Sequence, residues 1–256
     1  MLIAACILLV ACQKEIKIDL NETQPKAVIT ANYIANDSVV LVQVSMTSSY
    51  FDGYADNFVN NATVTISENG GPETIIPFTE NGNYKLFNYA PTFGANYTLK
   101  VIHDGVDYQA TQFLNAPISL LPSTSEYVEA SIFSPEGYVV KYSFQDPSTM
   151  GNAYKIVYTY GGKRYDKFSE LNISKDDFTN GNIMQGQPLD VFEIGDTVIT
   201  ELQTINMSMY NYYNQLQVNT SSFTAANGNP NFMWTNKALG YFSAYSYDTD
   251  TIIVQP

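Results

Sequence analysis

Tyr97-Thr98-Leu99-Lys100-Val101-Ile102-His103-Asp104-Gly105-Val106-Asp107-Tyr108-Gln109-Ala110-Thr111-Gln112-Phe113 is the stretch on which the fold turns. Asp-Gly between two alternating segments marks a two-residue hairpin turn, because both turn positions need a positive φ that Asp and Gly tolerate. Residues 97–102 and 106–113 are therefore expected as paired antiparallel strands. The alternation continues outward. Residues 27–34 and 39–46 read as strands separated by Ala35-Asn36-Asp37-Ser38. Residues 62–66 form another, closed by Glu68-Asn69-Gly70-Gly71, with residues 73–78 pairing back across that turn and Asn81-Gly82-Asn83 marking the next. Short strands at this spacing indicate a β-sandwich over residues 26–116.

Asn115-Ala116-Pro117 through Pro122-Ser123-Thr124-Ser125 has the Pro and Ser content of a linker, which places a connector at 117–126. Residues 127–256 are expected as a second β-rich domain. Its strands fall at 127–133, 138–144, 153–160, 163–168 (across Gly161-Gly162), 197–205, 239–245 and 251–254. Residues 207–218 form the one short helix, with Asn206 or Ser208 as its cap. The fold class is thus mainly β.

Composition agrees: aromatic residues make up 14% of the chain, led by 20 Tyr, and such side chains suit pleated, half-buried surfaces. The formal charge is −13 and the only arginine is Arg164. An acidic body repels phosphate backbones and anionic lipid, so neither nucleic acid nor a polybasic membrane contact is expected. A single histidine, His103, excludes His-based triads and multi-histidine metal sites within one chain. Both cysteines, Cys6 and Cys12, lie at the extreme N-terminus, so the body is expected to carry no disulfide and no thiolate metal site. No cofactor is expected.

Residues 2–11 are apolar except for Cys6. About ten residues fall short of the roughly 20 that span a bilayer, and the run matches the core of a secretory signal over 1–11. It begins Met1-Leu2-Ile3 without a basic residue, as a start site placed too late would leave it. Leu9-Val10-Ala11-Cys12 resembles a lipobox, which implies lipidation of Cys12 and a tether over 12–25. Gln13-Lys14-Glu15 resembles the surface-export signal of Bacteroidota lipoproteins, and the implied location is the outer membrane, facing the cell exterior.

Two further resemblances follow. Val59-Asn60-Asn61-Ala62-Thr63-Val64, Gly82-Asn83-Tyr84 and Gly94-Ala95-Asn96-Tyr97-Thr98-Leu99 resemble an immunoglobulin-like or prealbumin-like sandwich module. Phe144-Gln145-Asp146-Pro147, Gly195-Asp196-Thr197-Val198, Tyr210-Asn211-Tyr212-Tyr213 and Trp234-Thr235-Asn236-Lys237-Ala238-Leu239-Gly240-Tyr241-Phe242-Ser243-Ala244 occur in this order. With the lipobox, they resemble the Bacteroidota lipoprotein family catalogued as domain of unknown function 4249. That resemblance implies an outer-membrane lipoprotein working with a TonB-dependent transporter, and it supplies no catalytic residues.

Candidate chemistry is sparse. Asp52 and Asp56 flank Gly53 and are calcium candidates, but they lack the twelve-residue EF-hand spacing, and a solvated loop is the plainer reading. Asp176-Asp177 and Asp248 with Asp250 are other acidic pairs. Tyr50, Phe51 and Tyr54 fall in a long loop, where aromatics meet partners more readily than on strands. Trp234 is a ligand or partner contact on one reading and a packed residue on the other. Tyr210, Tyr212 and Tyr213 present the same pair of readings. The expectation is a non-catalytic accessory partner of a transporter. The alternative is a stand-alone glycan- or peptide-binding module, and a carboxylate hydrolase comes third.

Overall fold

The computed structural model describes residues 24–48, 57–132, 134–221 and 228–256. The Asp104-Gly105 turn forms as expected, with φ of +47° and +76°. His103 faces Val106, and the hairpin stays in register out to Asn96 opposite Phe113.

In the first half the strands are β1 (Ala27–Ile34), β2 (Val39–Met46), β3 (Thr63–Glu68), β4 (Thr74–Ile75), β5 (Phe78–Glu80), β6 (Asn83–Leu86), β7 (Asn96–His103) and β8 (Val106–Phe113). The second half holds β9 (Leu120–Val128), β10 (Gly137–Gln145), β11 (Ala153–Tyr160), β12 (Lys163–Tyr165), β13 (Asn172–Lys175), β14 (Ile183–Gly186), β15 (Thr197–Ile205), the helix α1 (Met207–Ser221) and β16 (Leu239–Ile253). One sheet has the order β12-β11-β15-β16-β1-β2-β6-β5, with β13 also on β11; β4-β3-β7-β8 and β14-β10-β9 form two more. The protein is mainly β. Among the described residues, no helix is long and apolar enough to cross a membrane.

Two sandwiches result. Ile29 and Tyr33 of β1, Val42 of β2 and Tyr84 of β6 pack against Ile66 of β3 and Leu99 of β7 in the first core. Tyr154, Ile156 and Tyr158 of β11 pack against Tyr142 and Phe144 of β10 in the second. The opposite face of β11 and β15 is covered by α1 through Met209 and Tyr213. Covered on both faces, β15 is buried almost continuously, including Thr200, Glu201, Gln203 and Thr204.

Several expectations need correction. Residues 73–78 do not form one strand. Thr74 and Ile75 pair with β3, whereas Phe78 to Glu80 pair with β6 in the facing sheet. The crossing falls at the buried Ile76 and at Pro77, which has no N–H to give a ladder. The connector at 117–126 is largely strand, because β9 starts at Leu120, and the strand expected over 127–133 stops at Val128. Pro122 is tolerated there because β9 is a sheet edge. Carboxylates satisfy donors on its free side: Asp248 accepts from Leu120 N (2.8 Å) and Asp250 from Ser123 N (2.7 Å). Neither Asn206 nor Ser208 caps α1 through its side chain. Asn206 donates to Gln112 Oε1 (2.9 Å) and Phe113 O (2.6 Å), and Ser208 donates to Gln112 Oε1 (3.0 Å), tying the helix start to β8.

The largest departure concerns the tail. The strands expected at 239–245 and 251–254 are one 15-residue strand, β16. Its first part pairs in parallel with β1, from Leu239 opposite Val28 to Tyr245 opposite Ile34. Its second part pairs antiparallel with β15, from Ser246 opposite Thr204 to Ile253 opposite Thr197. The first sandwich therefore takes a strand from the far end of the chain, and one sheet runs across the boundary drawn at 117–126.

Gly240 is the tightest point in this arrangement. It has φ +93°, and a Cβ there would lie 2.1 Å from Ile29 O. Trp234 Nε1 donates to the same carbonyl at 3.1 Å. Gly240→Ala is expected to cost about 3 kcal/mol or more, from backbone strain plus a clash with main chain that cannot swing aside. Trp234→Ala is expected to cost about 3–5 kcal/mol as a core truncation. Urea unfolding of each variant checks both, and wild-type midpoints would contradict the packing described.

Candidate functional site

Strand alternation builds the site. Along β16, Phe242 and Ala244 enter the first core, so Tyr241 and Tyr245 face the other side, where α1 lies. Along β11, Tyr154, Ile156 and Tyr158 enter the second core, which leaves Lys155 on the face of Ala153, beneath the helix. Met209 and Tyr213, four apart on α1, project onto that same face. The result is a cavity of about 410 Å³ where the two sandwiches meet. Lys155, Arg164, Phe168, Tyr213, Tyr241 and Tyr245 line it, with Asn32 of β1 contributing from the first sandwich. A smaller cavity of about 240 Å³ shares the Phe168 and Tyr241 walls and continues towards Tyr212 and Leu216.

The charges are arranged in two states of satisfaction. Arg164 reaches across β11 to hold Glu201 with both terminal nitrogens at 2.8 Å, and its Nε contacts Asp166 at 3.0 Å. Gln203 Nε2 donates to Glu201 Oε1 at 2.6 Å. The guanidinium is held above its ordinary range by hydrogen bonding to Glu201. Lys155, directly opposite Gln203, differs. Its ammonium stands 5.4 Å from the Tyr213 ring centroid, and among the described residues no carboxylate lies within 4 Å of it. Burial pushes its pKa down, with Asp166 and Glu201 pulling the other way.

The aromatic wall is a cluster of phenols. Tyr213 and Tyr241 have ring centroids 6.2 Å apart, and Tyr212 and Tyr241 5.5 Å. Burial raises Tyr213, Tyr241 and Tyr245, and pushes Tyr212 up to about 12. These hydroxyls remain protonated donors in the physiological range.

The acidic pairs serve the scaffold. Asp176 accepts from Gly151 N (3.2 Å) and Asn152 N (3.0 Å), and Asp177 pairs with Lys175 at 2.5 Å. Asp146 accepts from the Tyr154 hydroxyl and from Gly181 N. Asp248 and Asp250 are committed to β9. Among the described residues, no group of three or more His, Cys, Asp and Glu side chains is placed to hold a metal ion.

Of the residues singled out from sequence, Cys12, Gln13, Lys14, Glu15, Tyr50, Phe51, Asp52, Tyr54 and Asp56 lie outside the described residues. Trp234 is 3% exposed and belongs to the first core, which corrects its reading as a contact residue. Its indole satisfies its own N–H internally, so packing accounts for it. Tyr213 is legible in the sequence only as part of a cluster. Lys155, Tyr241 and Tyr245 were missed. The available signal was Lys155 itself, a charge on an otherwise Tyr-, Ile- and Val-rich strand that reads as buried.

A family described as "Domain of unknown function (DUF4249)" matches residues 13–251. The chain belongs to that family. No curated protein matches it. Among solved structures it is similar to a cytokine receptor complex, with 10% identity, a TM-score of 0.29, and 71% of this chain and 86% of that one covered. It is also similar to a two-domain fibronectin type III segment of chicken tenascin, at 8% identity and TM-score 0.26, covering 90% and 100%. A third is the Yersinia pseudotuberculosis adhesin InvE, at 20% identity and TM-score 0.23, covering 71% and 55%. At these TM-scores none supports a functional conclusion, and the two-sandwich description rests on strand pairing. Within this family member the run from Trp234 to Ala244 is a clasp. Thr235 Oγ1 accepts from Gln109 N (2.8 Å) and Asn236 Nδ2 donates to Asp107 O (2.7 Å) on β8, before β16 crosses to β1.

The tyrosine shifts carry a sign. A phenol whose folded value is raised favours folding while protonated. That contribution is complete below 10.0, the ordinary tyrosine value, and is lost as pH climbs through the folded values. Lys155 acts oppositely, since its lowered folded value penalises the charged form. Tyrosinate absorbance is expected to lag above pH 10 and then rise together with loss of near-ultraviolet circular dichroism. Full titration of the tyrosines near pH 10 in a still-folded protein would contradict the buried cluster.

Proposed function

We propose that this protein is a non-catalytic binding lipoprotein, anchored through Cys12 to the outer membrane, facing outward, and working beside a TonB-dependent transporter to capture or hand over a ligand. The observation that carries the binding reading is the junction cavity, where an ammonium without a carboxylate partner among the described residues meets a wall of protonated phenols. Concave sites with convergent polar groups set beside aromatic walls are a usual form of small-molecule pocket, and here Lys155, Arg164 and Gln203 stand beside Phe168 and the tyrosines. Among the described residues, several carboxylates serve the scaffold: Asp146 and Asp176 hold loops, Glu201 holds Arg164, and Asp248 and Asp250 hold an edge strand.

Anchor, location and partner rest on the lipobox, on Gln13-Lys14-Glu15 and on the family resemblance. Tethering would confine the body to two dimensions and raise its effective concentration at a partner barrel. Expression in a Bacteroidota host with a C-terminal tag tests this. The wild type is expected in the outer-membrane fraction, accessible to protease on intact cells, and co-purifying with a TonB-dependent transporter. Cys12→Ser is expected in the soluble fraction. A wild type that is soluble, or that purifies from membranes always alone, would contradict the proposal.

A further inference from the structure

The chain has only 12 Lys and Arg residues against 25 Asp and Glu, yet Lys155, Arg164 and Lys167 all line the junction cavity. Arg164 is already paired with Glu201 and Asp166. Lys155 is not: the Tyr213 ring face is its near neighbour, and the amide of Gln203 opposite it is turned to Glu201. A partly buried ammonium without a counter-ion is unfavourable, and an anion in the adjoining cavity would relieve it.

The surroundings narrow the anion. Three cations set against Asp166 and Glu201 leave one net positive charge at the cavity. Asp166 lies in the lining and Glu201 stands behind Arg164, so a dianion would exceed the net positive charge and the site suits a single negative charge. The remaining wall offers Tyr213, Tyr241 and Tyr245, whose hydroxyls donate hydrogen bonds and whose rings pack against the apolar face of a cyclic body. About 410 Å³ lies within the range of roughly 300–1,000 Å³ found for small-molecule pockets.

We infer that the junction cavity binds a small carboxylate-bearing molecule of uronic-acid size and polarity, its carboxylate on Lys155 and its ring against Tyr213, Tyr241 and Tyr245. The inference rests on the reading of this cavity as the ligand site and extends it to a chemical class.

Isothermal titration of the full chain in mild detergent with D-galacturonate, D-galactose and inorganic phosphate tests it. Galacturonate is expected to bind, and galactose and phosphate to bind at least about tenfold more weakly. Lys155→Met is expected to weaken galacturonate at least about tenfold, with an unchanged circular dichroism spectrum. Lys155→Arg keeps the charge and is expected to retain binding, so a folding defect in the methionine variant does not leave the question open. Absence of galacturonate binding overturns the inference, as does equal affinity for galactose, preference for phosphate, or full binding by Lys155→Met. None of these results bears on outer-membrane fractionation or transporter co-purification, which test the broader reading separately.

Discussion

Between Tyr245 and Ser246 the last strand exchanges one partner for another: its parallel pairing with β1 ends and its antiparallel pairing with β15 begins. The exchange is bridged from the first sandwich. Ala35 N donates to Tyr245 O at 3.0 Å, and Asn36 continues the ladder with its side-chain amide, donating to Tyr247 O and accepting from Tyr247 N, both at 2.8 Å. Tyr247 Oη then donates to Asp37 Oδ1 at 2.8 Å. A side chain thus replaces a strand residue where β1 has ended, and no backbone group at the switch needs to be left unpaired. Each such bond is worth about 1 kcal/mol net, so the ladder as a whole, not any one contact, joins the sandwiches.

The candidate site follows from this exchange. A strand that enters two sandwiches presents alternate residues to a core and to the face outside it, and at the switch that outside face is roofed by α1. Tyr241 and Tyr245 fall there by alternation, and Lys155 and Gln203 reach it from the second sandwich. Arg164 and Glu201 act as a positioning pair, fixing β12 across β11 onto β15. The cavity is therefore a consequence of how the sheets are joined, which explains why its lining comes from segments far apart in sequence.

What was legible in the sequence was local. The Asp104-Gly105 hairpin, β1, β2, β11 and β15 follow from alternation and turn chemistry, because those signals act over a few residues. α1 was placed although its Asn- and Tyr-rich sequence is a weak helix former, and it depends on Met209 and Tyr213 docking. Less visible were features decided at a distance. Pro122 suggested a linker, but an edge strand tolerates proline when carboxylates from β16 serve the neighbouring amides. The polar run Ser246-Tyr247-Asp248-Thr249-Asp250 suggested a break between strands, but those side chains serve Asn115, Asp37 and β9 while the backbone pairs with β15. The distinctive run from Trp234 to Ala244 signalled the family, and within it Trp234, Thr235, Asn236, Gly240 and Phe242 prove to be structural whereas Tyr241 lines the junction cavity.

Because β16 pairs with a strand of each, the two sandwiches form one cooperative unit. Hydrogen exchange by mass spectrometry across a urea series measures this most directly, because peptides from β1 and β2 report the first sandwich and peptides from β11 and β15 the second. The slowest amides of both sets are expected to become exchangeable at the same urea concentration, with a single opening free energy. Two separate transitions, with one sandwich still protected after the other has opened, would contradict it.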